Sequence, residues 1–222
     1  MMSMIAHQWR QPLATATLLI ANEKIKSMSN NKTQDESEKI LDKISDLILY
    51  LSNLINDFQT YFKPEKSTVK ISTRLLIERM QHIIQTRLLL EKVQLHLDEC
   101  AEEVIETYAN EVVQVLINII NNAIDIVVER NVKKRHVWIQ ISSNDTNIII
   151  SIEDNGGGIS PDILENIFDP YFSTKSKNGT GLGLYMAKMI IDKHIGGTLS
   201  AANTKKGALF TLVLPKKTLP LC

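Results

Sequence analysis

Two asparagines, an aspartate and a run of glycines are the residues of this sequence whose types and spacing suit nucleotide chemistry. Asn118 and Asn122 stand four residues apart in an apolar stretch, so on a helix they share one face. Their amide oxygens could hold a hydrated Mg²⁺ ion, which prefers oxygen ligands; the alternative is one surface amide and one core amide. Asp154 ends a β-type run just before Gly156 and Gly158. Its carboxylate could accept a hydrogen bond from an exocyclic amine, although this sequence also suits a simple tight turn.

A second glycine cluster, residues 179–183, opens a helical pattern further along the chain. Backbone N–H groups at a helix N-terminus bind anions, helped by the helix dipole, so this segment could hold phosphate groups. It does not follow a strand within a βαβ unit and is therefore not a dinucleotide-binding fingerprint. All nine glycines lie between Gly156 and Gly207, which concentrates unusual backbone conformations in the last third of the chain.

One histidine has neighbours that set it apart from the others. His7 is followed five residues later by Pro12 within an apolar helical pattern. Neutral imidazole is nucleophilic near pH 7, and the proline bends or loosens the helix beside the ring, which exposes it. The remaining histidines lack this context, and we interpret them as surface residues: His82, His96, His136 and His194.

Residues 1–62 are predicted to form two helices joined by a polar turn near residues 29–35. The second helix carries a heptad seam, and a lone hairpin cannot bury a seam of this length. We therefore expect a homodimer in which two hairpins form a four-helix bundle; the alternative is packing against the rest of the same chain. Residues 63–66 contain Pro64, which disfavours a helical predecessor, and are interpreted as a linker.

Residues 67–217 alternate between strand and helix patterns, and residues 218–222 are a tail. The predicted strands are mostly non-parallel, so the expected architecture is an α/β sandwich with helices on one face. The whole chain is thus of the α+β class. Helices are predicted over residues 73–90, 110–130 and 184–194, and strands over 69–71, 93–97, 103–107, 137–142, 148–153, 198–202 and 209–214.

Composition excludes some partners. The 25 Lys and Arg residues balance 25 Asp and Glu residues, so no global field attracts nucleic acid or an anionic membrane. No run of about 18 apolar residues predicts a membrane span, and no signal peptide opens the sequence. Cys100 and Cys222 form no metal-ligand pattern and are expected to be free thiols. We expect a cytoplasmic location; a membrane anchor, if there is one, would precede residue 1.

Taken in order, these motifs resemble the nucleotide-binding boxes of the sensor histidine kinases of two-component systems. The resemblance covers residues 67–215 and implies the GHKL, or Bergerat, ATP-binding fold that is shared with gyrase, Hsp90 and MutL proteins. It implies that Asn122 ligates Mg²⁺, that Asp154 binds the adenine amine, and that residues 155–183 form a mobile lid anchored by Phe168 and Phe172. The nucleotide-binding residues implied in this way are Asn118, Asn122, Asp154, Gly156, Gly158, Phe168, Lys175, Gly179, Thr180, Gly181, Leu182 and Gly183.

Residues 3–13 resemble the phosphoacceptor box of the same family. The resemblance implies that His7 takes the γ-phosphate of ATP and passes it to an aspartate of a response regulator receiver domain. The residue after the histidine is usually acidic in the family and is Gln8 here, which leaves the general base open. Gln11 occupies the position tied to phosphatase activity, where an amide aligns water, so phosphatase activity towards the regulator is a further expectation.

Three hypotheses follow from these motifs. The first is an autophosphorylating kinase; the second is a nucleotide-binding module that acts mainly as a phosphatase or conformational switch, which Gln8 favours. The third is a hydrolytic ATPase. In the hydrolytic relatives, a glutamate one turn before the magnesium asparagine activates water, whereas Asn118 cannot accept a proton in that way. Because His7 lies only two turns after Met1, we expect an input domain upstream and interpret the sequence as part of a longer protein.

Overall fold

A computed structural model of the chain describes residues 17–21, 40–41, 44–45, 48, 67–98, 103–174 and 181–218. The chain divides into two compact units, one of residues 1–60 with 173–180 and the other of residues 61–172 with 181–222. In the first unit, the described residues up to 48 are all helical. The predicted hairpin and its dimeric bundle lie mostly outside the described residues and stay a prediction, as do the roles of His7 and Gln11.

The second unit contains a five-stranded mixed sheet and a separate two-stranded sheet. In the larger sheet the strand order is β2-β4-β5-β7-β6; β2 and β4 are parallel, and the other neighbours are antiparallel. Strands β1 and β3 pair antiparallel. The strands are β1 (Val69–Ser72), β2 (Val93–Leu97), β3 (Val104–Thr107), β4 (Arg135–Ser143), β5 (Asn147–Asp154), β6 (Thr198–Asn203) and β7 (Ala208–Pro215).

Four α-helices lie in the described residues of this unit, and local signals explain where the first begins and where the second ends. Helix α1 is capped by Ser72, whose hydroxyl accepts from the Leu75 amide at 3.2 Å. Helix α2 ends before Asn131, which adopts a left-handed conformation with φ of 51°. The helices are α1 (Thr73–Leu90), α2 (Ala109–Glu129), α3 (Pro161–Leu164) and α4 (Gly183–Met189), and α4 continues as a π-helical segment, Ile190–Ile195.

The core lies between one face of the large sheet and the helices. Along β5, Ile148, Ile150 and Ile152 are buried while the alternate side chains are only partly buried, which is the two-residue period of a sheet with one covered face. Helix α2 is long and apolar enough to cross a membrane by length and composition. More than half of its most apolar window is buried, 56%, so this apolar surface serves the core.

The predicted α/β sandwich is confirmed, and three details differ from expectation. The last helix is α-helical only as far as Met189 and then widens into π-helical turns. The short helix α3 was not predicted, because four residues are too few to show a helical period. The separation of β1 and β3 into their own sheet was also not predicted, since periodicity reports burial and not pairing partners.

Candidate functional site

Asp154 lies at the end of β5 and is almost completely buried, with 3% of its surface exposed. Its Oδ1 atom accepts hydrogen bonds from the backbone N–H groups of Gly156 at 2.7 Å and Ala208 at 3.3 Å. Within the described part of the chain, both side-chain hydrogen bonds of Asp154 end on Oδ1. The second oxygen, Oδ2, is therefore the atom that can accept a hydrogen bond from a ligand.

Two opposing effects set the protonation of this carboxyl group. Burial raises the pKa of Asp154, because desolvation penalises the charged form. The backbone N–H groups of Gly156 and Ala208 and the positive charge of Arg130 lower the pKa, but they do not cancel the effect of burial. A raised pKa of a buried carboxyl group is typical of a functional site, and here it accompanies an oxygen, Oδ2, that accepts no hydrogen bond within the described part of the chain.

The loop after Asp154 is held by helix α2 and by the end of β6. Arg130 Nη1 donates to the backbone oxygen of Gly156. Asn203 brackets the next turn: its Oδ1 accepts from the Ile159 N–H at 2.7 Å, and its Nδ2 donates to the Ile159 oxygen at 2.6 Å. Gly158 has a φ of 81°, and a Cβ atom there would lie 2.8 Å from Asn203 Oδ1. Only glycine fits this position without strain.

Gly207 lies against Asp154 from the turn between β6 and β7. A Cβ atom on Gly207 would overlap both the backbone oxygen and Oδ1 of Asp154. The absence of a side chain therefore lets the turn approach closely enough for the Ala208 N–H to reach the carboxylate. Gly207 thus contributes to the site because it has no side chain. This role depends on the contact with Asp154 and cannot be recognised from the glycine alone in the sequence.

Helix α2 carries both predicted asparagines on one face, each half-buried. Asn118 Nδ2 donates to the backbone oxygen of Gly183 at 3.4 Å, which joins α2 to the first residue of α4. Asn122 lies one turn further along the same face. A neighbouring face of α2 is fixed by Arg87 of α1, which donates to Asn121 Oδ1 at 2.6 Å and forms an ion pair with Asp125.

Phe168 packs between the large sheet and α4. Its ring meets that of Phe210 edge-on, with centroids 6.4 Å apart, and Lys188 Nζ lies 5.6 Å from the Phe168 centroid. Phe172 also packs against the core. The Tyr171 N–H donates to the Gly181 oxygen at 2.9 Å, and Leu182 is buried next to it. Phe168 and Phe172 are thus packed against the core, and their role as anchors of a mobile lid stays a prediction.

The structure shows direct contacts within two pairs of the predicted site residues that it describes. Asn118 meets Gly183, and Asp154 meets Gly156. Sequence reasoning missed the roles of Arg130 and Asn203, whose partners are 26 and 44 positions away in the chain. No local pattern could have revealed these contacts. Five predicted residues lie outside the described part of the chain: His7, Gln11, Lys175, Gly179 and Thr180.

The described residues include groups of the types that a nucleotide with a bound Mg²⁺ ion would need. Asp154 Oδ2 supplies a buried acceptor for an exocyclic amine, and the half-buried face of α2 supplies two amide oxygens at i and i+4. Among the described residues, no group of three or more His, Cys, Asp or Glu side chains could hold a different metal ion. Fold and site together define a nucleotide-binding α/β sandwich of the GHKL class.

Comparison with known proteins identifies the family. Residues 107–218 match the family described as histidine kinase-, DNA gyrase B-, and HSP90-like ATPase. The chain belongs to this family, which implies an ATP-binding site. The matched range contains Asn118, Asn122 and Asp154.

Among curated proteins, the chain is 30% identical over 218 residues to the signal transduction histidine-protein kinase AtoS of Escherichia coli (strain K12). It is also 30% identical over 221 residues to sporulation kinase C of Bacillus subtilis (strain 168). The alignments cover 97% and 96% of this chain. The chain spans only 34% of the length of AtoS and 48% of that of sporulation kinase C. The resemblance to sensor histidine kinases is confirmed.

Solved structures agree with the fold. The catalytic domain of histidine kinase ThkA is 26% identical, with a TM-score of 0.61, and the match covers 68% of this chain and 98% of that chain. The structure of ThkA in complex with the response regulator protein TrrA gives a TM-score of 0.71 at 22% identity. That match covers 97% of this chain and 61% of the ThkA chain.

Proposed function

We propose that the chain is the catalytic core of a sensor histidine kinase, which moves the γ-phosphoryl group of ATP to His7 and then to an aspartate of a response regulator. Membership in the ATPase family and the similarity to AtoS and sporulation kinase C support this proposal. ThkA, which has a similar fold, was solved in complex with a response regulator protein. We propose in addition that the core acts in the cytoplasm as a homodimer, through residues 1–62.

The observation that carries the proposal is the residue type and the hydrogen bond of Asn118. This position, one turn before Asn122, holds an amide, and its Nδ2 is engaged with the backbone oxygen of Gly183. An amide cannot take a proton from water, so the group that serves hydrolysis in related ATPases has no counterpart at this position. ATP bound here is spared for another nucleophile, and Asn118 acts by holding α4 in place.

The site residues receive these roles in the proposal. Asp154 accepts the adenine amine through Oδ2, and Asn122 is the ligand of Mg²⁺, which would neutralise phosphate charge when bound. Phe168 anchors the segment that covers the nucleotide. The phosphate contacts are assigned to the Lys175 side chain and to the backbone N–H groups of residues 179–183, which are Gly179, Thr180, Gly181, Leu182 and Gly183.

In this transfer, the ATP-binding unit mainly has to position the γ-phosphate next to His7; it does not have to form a covalent bond to the phosphate itself. A lone pair of the neutral His7 imidazole forms a bond to the γ-phosphorus, and the bond from this phosphorus to the bridging oxygen breaks, so ADP leaves with that electron pair. The ring must then lose a proton, and Gln8 is an amide that cannot accept it. We infer that the base lies elsewhere or is solvent.

The direct test is autophosphorylation of the purified chain with γ-labelled ATP and Mg²⁺. We expect label that is lost in acid but stable in base, and that is absent from both His7→Ala and Asn122→Ala. His82→Ala is the matched control, since His82 is an exposed histidine on α1, and it should be labelled normally. Nucleotide binding without label in the unmodified chain would overturn autokinase activity, and steady phosphate release without a partner would favour the ATPase hypothesis.

Phosphatase activity is a second proposed activity, favoured by an amide at position 11. Gln11 would align water against the phosphoaspartate of the regulator. We expect Gln11→Ala to slow dephosphorylation of a phosphorylated receiver domain while labelling of His7 continues. Equal dephosphorylation by both proteins would contradict this role for Gln11.

A further inference from the structure

Two histidines meet on the outer face of the large sheet, opposite the face that the helices cover. His96 of β2 and His136 of β4 lie on neighbouring parallel strands, and His96 stands opposite Trp138 in the register. The atoms His96 Nε2 and His136 Nδ1 are 2.9 Å apart. Neither histidine contributes to the nucleotide site described above, and no motif in the sequence pairs them.

The separation of these two nitrogens fits a shared metal ion. An imidazole nitrogen binds a divalent transition metal at about 2.0–2.1 Å. Two such nitrogens at a right angle around one ion are then about 2.9 Å apart, whereas tetrahedral positions would separate them by about 3.3 Å. Right angles between neighbouring ligands are typical of Cu²⁺ and Ni²⁺ sites. The contact of 2.9 Å shows only that the two nitrogens are close enough to share one ion; Cu²⁺ and Ni²⁺ are preferred because both suit imidazole ligands and Cu²⁺ binds nitrogen ligands most strongly among the divalent first-row metals.

The two rings are already held in place. Both stack on the indole of Trp138, with centroid distances of 5.6 Å for His96 and 5.5 Å for His136. The His136 backbone N–H donates to Asn155 Oδ1 at 3.0 Å, which fixes the strand beneath the ring. Ligands whose orientation is set before binding lose little freedom when the ion arrives.

The surrounding charges are compatible with a cation. Lys206 lies 4.2 Å above the Trp138 ring, but its charge is paired with Glu153 at 3.0 Å. Asp98 lies two residues beyond His96, and its carboxylate accepts from Gln140 at 2.6 Å. Water would complete the coordination sphere, since the two histidines supply only two positions.

The proton balance of binding is simple. The contact between the rings uses one N–H as donor and one ring nitrogen as acceptor. For both nitrogens to bind an ion, the donating ring must carry its proton on its other nitrogen. This change of tautomer releases no net proton when both rings are neutral.

We propose that His96 and His136 form a binding site for Cu²⁺ or Ni²⁺ on the outer face of the large sheet. The site is separate from the proposed Mg²⁺ ligand Asn122 and does not depend on kinase activity. His194 is already engaged with Glu111 at 3.2 Å, so it is not an alternative partner for either ring.

The test is calorimetric titration of the untagged full chain with Cu²⁺ and with Ni²⁺, without nucleotide. Cys100→Ser and Cys222→Ser in all samples remove the thiols as competing ligands. We expect one ion per chain, with affinity reduced about tenfold or more by either His96→Gln or His136→Gln. His82→Gln, an exposed histidine on α1, is the matched control and should bind as the parent does.

A spectroscopic readout separates coordination at this site from binding elsewhere. Trp9 and Trp138 are the two tryptophans of the chain, so a Trp9→Phe background makes Trp138 the reporter. Cu²⁺ bound to the histidines should quench Trp138 fluorescence in proportion to occupancy, and His96→Gln should abolish that quenching while the circular dichroism spectrum stays unchanged. Absence of stoichiometric binding, or binding and quenching that survive both histidine substitutions, would overturn the proposal and leave the pair as a simple hydrogen bond.

Discussion

The Asp154 side and the Phe168 side of the proposed nucleotide site are held by different kinds of contact. On the Asp154 side, directional hydrogen bonds fix the loop: Gly156 is bonded to Asp154 and Arg130, and Ile159 is bonded twice to Asn203. On the Phe168 side, the edge-on contact with Phe210 and a lysine beside the ring are joined by one backbone hydrogen bond, from the Tyr171 N–H to the Gly181 oxygen.

This difference matches two tasks. Hydrogen bonds lose strength steeply when distance and angle change, so the Asp154 side can recognise a base by exact placement of one oxygen. Ring packing tolerates small shifts because it is largely non-directional. The Phe168 side can therefore adjust, as the proposed binding and transfer of the phosphates would require. Substitutions on the first side should have the larger effects.

The largest effect is expected from Gly207→Ala. The new Cβ atom would overlap backbone and carboxylate oxygens of Asp154, and strand pairing of β5 with β7 leaves little freedom to move apart. We expect the free energy of unfolding to fall by about 1–3 kcal/mol, with loss of nucleotide binding. Denaturant unfolding and calorimetry measure both. Gly183→Ala is the control for stability, since a Cβ atom there meets nothing within 4 Å.

Asp154→Asn should separate recognition from stability. The Asn oxygen can still accept from the Gly156 and Ala208 amides, but an NH₂ group replaces Oδ2 and faces the adenine amine as a second donor. We expect ATP to bind more weakly by about 1–3 kcal/mol, measured by calorimetry. The free energy of unfolding at pH 7 should not fall, because the substitution removes a charge that burial disfavours.

The difference in unfolding free energy between the parent and Asp154→Asn should depend on pH, and the raised pKa of Asp154 sets the direction of that dependence. The folded protein raises the pKa of Asp154 above its usual value of 3.8, so the folded state binds the proton more tightly than the unfolded state does. This contribution to stability is complete below the unfolded pKa and is lost as the pH rises through the folded pKa. Relative to Asp154→Asn, the parent should thus become less stable as the pH increases above about 4. A difference in stability that does not vary with pH would contradict a raised pKa.

The sequence predicts the elements of the second unit well, because their periodicity reports burial directly. For example, the apolar residues Ile148, Ile150 and Ile152 occupy every second position of β5, and this spacing correctly predicts which face of the strand is buried. Asn118, Asp154 and the glycines could also be named as candidates from sequence, because their residue types and spacing suit nucleotide chemistry; their roles stay predictions. Contacts such as that between Asn203 and Ile159 could not be named in this way, because they join residues 44 positions apart through the finished fold. The contacts that support the site form only in the folded chain, whereas the residues with suitable chemistry can be recognised from short stretches of sequence.

Asn203→Ala tests the part of the Asp154 side that the sequence concealed. Both hydrogen bonds to Ile159 are lost, and the 158–159 turn is no longer held against the end of β6. We expect a loss of about 1–2 kcal/mol in the free energy of unfolding and weaker binding of ATP. Asn203→Asp keeps the acceptor and removes the donor, so it should fall between Asn203→Ala and the parent. Unchanged ATP affinity in Asn203→Ala would show that this turn does not support the base.

Lys188→Met should have the smallest effect, because it acts on the Phe168 side. Lys188 Nζ donates to the Leu199 oxygen at 2.7 Å and pairs with Asp192 at 3.1 Å, and both side chains of the pair are about one-third exposed. Methionine retains contact with the Phe168 ring, so we expect a loss of only about 0.5–1.5 kcal/mol in unfolding free energy.

The control for Lys188→Met is Lys193→Met, an exposed lysine on the π-helical segment, which should be neutral. Asp192 Oδ1 is buried without a hydrogen-bond partner among the described residues, so removal of Lys188 leaves this carboxylate more poorly compensated. The double variant Lys188→Met with Asp192→Asn should therefore recover part of the loss, as measured by a double-mutant cycle. A loss from Lys188→Met as large as that from Gly207→Ala would break the contrast between the two sides, since it would mean that the Phe168 side is fixed as rigidly as the loop around Asp154.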